Sequence, residues 1–156
     1  MFSPHPDRKL INAIHAYQRH RADRGPLGRL LCLWGKLRHA FWSAITASDI
    51  HRDATIAATV SFPHLTGVVI HKDAVIEDNC MIMQQVTLGQ TADSGAPFVA
   101  KGAYIGAGAK VLGQVRIGRN AQIGANAVVL HDVPDDATAV GVPARLVQKE
   151  QRSTNV

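Results

Sequence analysis

Cysteine is scarce in this chain of 156 residues: Cys32 and Cys80 stand far apart with no neighbouring cysteine. Neither a disulfide framework nor a zinc knuckle is indicated, and both read as ordinary buried thiols. Aromatic residues make up only 5%, and no apolar run approaches the roughly 18–20 residues of a membrane span. The N-terminus, MFSPHPDRKL, lacks the basic-then-apolar order of a secretory signal, which leaves a cytoplasmic address as the expectation. A GxxxxGK(S/T) loop is absent and no glycine cluster leads one strand into one helix, so a nucleotide fingerprint is not supported. The eight histidines include no pair at metal-ligand spacing, so no metal site is assigned. Acidic residues are rare at the N-terminal end. Residues 1–46 hold eight Lys/Arg against Asp7 and Asp23, and residues 47–156 hold nine against ten acids, so the net charge of +5 resides in the first segment. These basic residues fall on a helical appendage without an aromatic platform on strands, which argues against nucleic-acid binding.

What the chain has is a six-residue rhythm. In KGAYIGAGAKVLGQVRIGRNAQIGANAVVL an aliphatic residue returns at Ile105, Val111, Ile117, Ile123 and Val129. Two positions before each stands a mostly small residue, Ala103, Ala109, Val115, Ala121 and Ala127, and Gly106, Gly118 and Gly124 follow three of the five. A period of six is neither helical nor a simple strand alternation. It is the mark of a hexapeptide parallel β-helix, whose triangular coils place large aliphatics inside the prism and small residues at tight corners.

The same rhythm starts earlier. Ile50, Ile56 and Phe62 keep one phase, Ile70, Ile76, Ile82 and Leu88 a second, and Val99 joins the Ile105 phase. Phe62 to Ile70 is six plus two, and Leu88 to Val99 is six plus five, so extra chain leaves the prism at Pro63–Gly67 and at Gln90–Ala96. Loops that interrupt a regular solenoid are natural walls for a site.

Ahead of the repeats, Leu10, Ile11, Ile14 and Tyr17 make a helical stripe that predicts a helix over 6–22. Gly25, Pro26 and Gly28 break the chain, and a second helix is predicted over 27–46 with Leu30, Leu31, Trp34, Leu37, Phe41, Trp42 and Ile45 on a broad apolar face. That helix is expected to cap the prism or pack against a neighbouring subunit, with peripheral contact of residues 27–46 with the inner membrane face as the alternative. The expected organisation is a helical segment over 1–46, a β-helix over 47–147 and a polar tail over 148–156.

His64 lies in the first interruption. An imidazole there can take a proton from a hydroxyl if something fixes its orientation. Asp49, fifteen residues earlier, is close to one coil of about 18 residues away, so the two are expected to stack roughly 5 Å apart as a base and its orienter. From spacing alone His64 is one of eight histidines, and a surface residue competes with a base. His51 and His71 read as solvent-facing corners, and His131 fits either reading.

With DIHRDATI, TGVVIHKDAVI, QQVTLG, IGAGAKVLG and AVGVPARLV in order, residues 49–147 resemble the serine acetyltransferase branch of the hexapeptide acyltransferases. The resemblance implies a left-handed parallel β-helix, all-β apart from the N-terminal helices, assembled as a homotrimer with acetyl-CoA in a groove between subunits. It puts the catalytic pair on His64 and Asp49. It puts cofactor contacts on Gly106, Ala107, Gly124 and Ala125, with Lys110 and Arg145 toward the phosphates. Packing alone also explains the glycines and alanines, and solvation the two cations.

The chain departs from this pattern as well. Pro63 replaces the family's aspartate before the histidine, and the second loop, GQTADSGAP, is three residues shorter and lacks the Asp-Arg-His run that helps hold serine. The N-terminal helical part is shorter than in the cysteine-biosynthetic members and the chain ends in Val156, so hexamer pairing and their C-terminal isoleucine contact are not expected. These departures lead to the expectation of an acetyl-CoA-dependent O-acetyltransferase acting on a saccharide or saccharide precursor in polysaccharide assembly. Serine O-acetylation with an altered pocket is the alternative, and a non-catalytic trimeric scaffold a third.

Overall fold

The computed structural model describes residues 6–23, 25–92 and 95–147. The expected tail over 148–156 and the Asp93–Ser94 step of the second loop lie outside them. Two helices, α1 (Pro6–His20) and α2 (Pro26–Thr46), precede a stack of coils. The first coil holds β1 (Asp49–Ile50) and β2 (Thr55–Ile56). The second holds β3 (Val69–Ile70), β4 (Val75–Ile76) and β5 (Met81–Ile82), and the third β6 (Thr87–Gly89), β7 (Phe98–Val99) and β8 (Tyr104–Ile105). The fourth holds β9 (Lys110–Leu112), β10 (Arg116–Ile117) and β11 (Gln122–Ile123), and the last β12 (Val128–Val129) and β13 (Thr138–Val140), followed by β14 (Arg145–Val147).

Parallel pairing from coil to coil makes three faces: β1-β3-β6-β9-β12, then β2-β4-β7-β10, then β5-β8-β11-β13, with β14 antiparallel beside β13 at the end. A two-residue strand allows one outward and one inward side chain. The inward ones are the aliphatics of the rhythm, stacked in register as Ile50, Ile70, Leu88, Val111 and Val129 on the first face. All five are buried. The phase breaks appear as register offsets. Tyr104 pairs with Gln122, eighteen positions on, whereas Asp49 pairs with Val69, twenty on, and Val75 with Phe98, twenty-three on.

The prism needs a lid at its open end, where the first coil's carbonyls have no coil beneath them. Helix α1 supplies it. Leu10, Ile11 and Ile14 join the same buried cluster as Ile50, Ile56 and Phe62. Gln18 Nε2 donates to the carbonyls of Arg52 and Ala54, each at 2.9 Å, and the His15 ring meets the Ile56 carbonyl at 2.8 Å.

Capping by the apolar face of 27–46 is therefore corrected in part: among the described residues α2 reaches the first coil through the His39 ring, 2.8 Å from the Ile50 carbonyl, and through Trp42. Helix α2 lies on α1 through Gly35, where a Cβ would sit 3.0 Å from the Tyr17 backbone, and Gly28 on the same helical face sits against Asp23 in the turn between the helices. This close approach turns the bulky stripe outward, and Leu30, Trp34, Leu37, Phe41 and Ile45 stay 56–62% exposed. Trp42 alone of that stripe leans on the core. Cys80 is buried as expected, but Cys32 on α2 is only half-buried. Among the described residues no helix is long and apolar enough to cross a membrane.

Candidate active site

Each corner of the prism stacks on the corner of the next coil, so residues distant in sequence line up along an edge. His64 belongs to the edge between the third and first faces. The turn that carries it is pinned on both sides. Phe62 and Leu65 are buried, Val68 N–H donates to Leu65 O at 3.0 Å, and Gly67 N–H donates to Ala47 O at 2.8 Å. Gly67 has φ +71°, a conformation open to glycine at little cost. Between these anchors the imidazole of His64 is exposed.

Further along the same edge come Gln84–Gln85, Gly106–Lys110 and Gly124–Ala125. Backbone bonds join one level to the next: Gln85 N–H to Thr66 O at 2.9 Å, Gly108 N–H to Gln84 O at 2.9 Å, and Asn126 N–H to Ala107 O at 2.8 Å. At about 4.8 Å per coil, His64 and Ala125 stand roughly 14 Å apart along the prism axis. Gly106 is enclosed, because a Cβ there would meet Ala125 N and Ile123 O at 2.7 Å. Ala107 is half-buried and Ala125 exposed. Lys110 Nζ donates to Gln85 O at 2.6 Å, and Arg145, exposed on β14, donates to Ala144 O at 3.1 Å.

Sequence reasoning passed over Gln84 on this edge, although it begins the quoted QQVTLG. Its Oε1 is buried and has no hydrogen-bond partner among the described residues, an open acceptor beside the row.

Asp49 is exposed at the start of β1, its N–H donating to Val68 O at 2.8 Å. Its partner on the next coil is Val69, not His64, and no hydrogen bond joins the Asp49 and His64 side chains. The two residues added at the first interruption move His64 out of the strand register and into the corner. The second interruption leaves from the opposite edge of the first face, between β6 and β7. The two loops therefore flank that face from different edges and do not form a single wall.

Over the first face opens a cleft of about 370 Å³, lined by Asp49, His51, Val69, Ile70, His71, Lys72, Leu88, Gly89 and Gln90. His51 and His71 thus face a cleft, and neither is simply a solvent-facing corner. The signal in the sequence was the doubled IHRDA and IHKDA, twenty residues apart. Beside the cleft Lys72 Nζ lies 2.8 Å from Asp73 Oδ2. This hydrogen bond holds the Asp73 carboxyl below its ordinary value, with smaller contributions from the charges of Lys72, His71 and His51.

A solenoid of six-residue steps with an exposed histidine on one edge defines a class of protein, the hexapeptide-repeat transferases. Residues 97–131 match the bacterial transferase hexapeptide (six repeats) family. The serine acetyltransferase of Escherichia coli (strain K12) is 50% identical over 149 residues, covering 89% of this chain and 52% of that protein. Among solved structures, a serine acetyltransferase in complex with CoA has a TM-score of 0.72 at 41% identity, over 89% of this chain and 57% of that one. A soybean serine acetyltransferase complexed with serine has a TM-score of 0.65 at 37% identity, over 89% of this chain and 70% of that one. The chain belongs to the serine acetyltransferase family. It spans about half the length of the curated relatives it matches.

The expectation of a saccharide acceptor is overturned by these relatives, whose likeness runs along nearly the whole described chain. That expectation rested on Pro63 in place of an aspartate, on the shortened second loop without its Asp-Arg-His run, and on the short N-terminal part and Val156 end. Such changes remove local contacts, but they leave the edge that carries His64 and the cleft over the first face in place.

Proposed function

We propose that the chain is a serine O-acetyltransferase, moving the acetyl group of acetyl-CoA to the hydroxyl of L-serine. The carrying observation is the single edge that holds an exposed, rigidly mounted His64 in line with Ala107 and Ala125, in a chain 50% identical to a serine acetyltransferase.

In this mechanism His64 removes the proton from the serine hydroxyl as the oxygen attacks the thioester carbonyl. The tetrahedral intermediate then expels the CoA thiolate, which takes that proton from the imidazolium. Asp49, which makes no hydrogen bond to the ring within one chain, lends its negative charge to the imidazolium from the start of β1. Gly106, Ala107, Gly124 and Ala125 form the row along which the pantetheine arm lies, and Lys110 and Arg145 face the phosphates. The working assembly is a homotrimer, in which neighbouring copies cover the apolar side of α2.

Thiol release from acetyl-CoA in the presence of L-serine tests the reading. Substituting His64→Ala is expected to lower kcat by about 10²–10⁴, the usual contribution of a positioned general base. Absence of serine-dependent release, or an unchanged rate in the variant, overturns it.

A further inference from the structure

The cleft over the first face holds groups that the mechanism does not use. His51 and His71 follow the paired residues Ile50 and Ile70 directly, so they stand one above the other on adjacent coils. Each ring is fixed in the same way. Asp53 N–H donates to His51 Nδ1 at 3.2 Å, and Asp73 N–H donates to His71 Nδ1 at 3.3 Å. An Nδ1 that accepts a backbone N–H carries no proton, so in the neutral ring the hydrogen resides on Nε2. Neither Nε2 has a hydrogen-bond partner among the described residues. Lys72, on the same wall of the cleft, spends one of its three N–H donors on Asp73. Asp53 Oδ1 accepts from Arg21 Nη1 at 2.9 Å while its Oδ2 stands 3.7 Å from His51 Nδ1, and Asp73 Oδ2 stands 3.8 Å from His71 Nδ1, so both carboxylates lie on the Nδ1 side and leave Nε2 free. Among the described residues Asp49 is the one carboxylate lining the cleft, at its opposite end.

The resulting polarity spans two adjacent coils: a carboxylate at Asp49 on β1, then two residues on in the strand direction an imidazole on each coil, with the Lys72 ammonium beside the second. At about 3.3 Å per residue the two ends lie roughly 6–7 Å apart, a span that suits a small zwitterion better than a long chain. We infer that His51, His71 and Lys72 bind the carboxylate of the amino-acid acceptor and so set specificity for an acid over its amide, leaving the hydroxyl at the Asp49 end of the cleft, next to the His64 turn. This inference rests on the serine reading and adds to it the side chains that select the substrate. Among the described residues of the second loop Gln90 alone lines the cleft, and the basic groups beside it are these three.

The test compares L-serine with L-serinamide, which keeps the hydroxyl and amine but has no carboxylate, in thiol-release kinetics on the full chain. The wild type is expected to prefer L-serine. His71→Leu should raise KM for L-serine about tenfold or more and bring the preference for serine over serinamide close to one, with KM for acetyl-CoA unchanged. His71→Gln, which returns an N–H donor, should recover part of the preference, and Lys72→Met should lower it. A merely structural role would change both substrates and acetyl-CoA alike. Variants that keep the wild-type preference overturn this inference alone. A wild type inert toward both acceptors overturns the serine reading and this inference with it.

Discussion

Substituting Gly106→Ala separates packing from ligand binding on the catalytic edge. The added methyl would sit 2.7 Å from Ala125 N and Ile123 O and 2.8 Å from Gly124 C. All three are backbone atoms of the next coil, so no side chain can swing aside. Relief requires the two coils to part by about half an ångström, against the Gly106 N–H to Ile123 O bond of 2.8 Å and its neighbours along the stack. Overpacking of this kind costs about 1–3 kcal/mol, and a stretched backbone bond adds about 1 kcal/mol. Together these give about 2–4 kcal/mol, a large share of the roughly 5–15 kcal/mol that holds a domain together.

Urea unfolding followed by circular dichroism reads the loss directly. With an m-value of about 2 kcal/mol/M, the midpoint should fall by about 1–2 M. Gly95→Ala is the control. Its nearest atom, Gln114 Cβ, is 3.6 Å from the built methyl and its φ is not in the left-handed region, so its stability should stay within about 0.5 kcal/mol of wild type. Both variants are compared at one protein concentration, because assembly contributes to the midpoint. A Gly106→Ala protein with the wild-type midpoint and a raised KM for acetyl-CoA would refute the packing argument and make the glycine a ligand requirement.

Ile14→Ala, at the buried face of the helical lid, should cost about 2–5 kcal/mol in the same unfolding assay. Replacing Leu30 and Leu37 by Gln leaves the core untouched and should lower the assembly state seen by sedimentation velocity. A loss of liposome binding with assembly unchanged would instead make the α2 face a membrane contact. Burial raises the Cys80 thiol above its ordinary value, so iodoacetamide at pH 8.5 should label Cys32 in the native protein and spare Cys80 until unfolding. Because the Asp73 carboxyl is held below its unfolded value, its small contribution is present above that value and lost as pH falls through the folded one. Asp73→Asn should therefore flatten the stability profile only on the acid side of about pH 4.

The sequence by itself determined the solenoid. A six-residue return of aliphatics admits one arrangement that buries them all, and the phase slips at Phe62–Ile70 and Leu88–Val99 reappear as register offsets of two and five residues. The helix limits were legible too, because Pro26 and the Gly25–Gly28 break act within a turn or two of chain. Which helix closes the prism was not legible. Capping was expected of the 27–46 stripe, and only the docking of Gly35 against Tyr17 of α1 decided that this stripe went outward.

The site divides in the same way. His64 stood out because it interrupts a rhythm, a property of the chain alone. Its lack of contact with Asp49 and the alignment of residues 64, 84, 107 and 125 on one edge depend on corner registers that accumulate over several coils. The placing of the two loops on different edges depends on them too. The doubled IHRDA and IHKDA became a pair of imidazoles in one cleft only when a twenty-residue coil put Ile50 beside Ile70. Periodicity encodes what faces inward, because burial acts on each residue separately. Which outward groups meet is fixed by the pitch of the stack, and that is a property of the folded coils together.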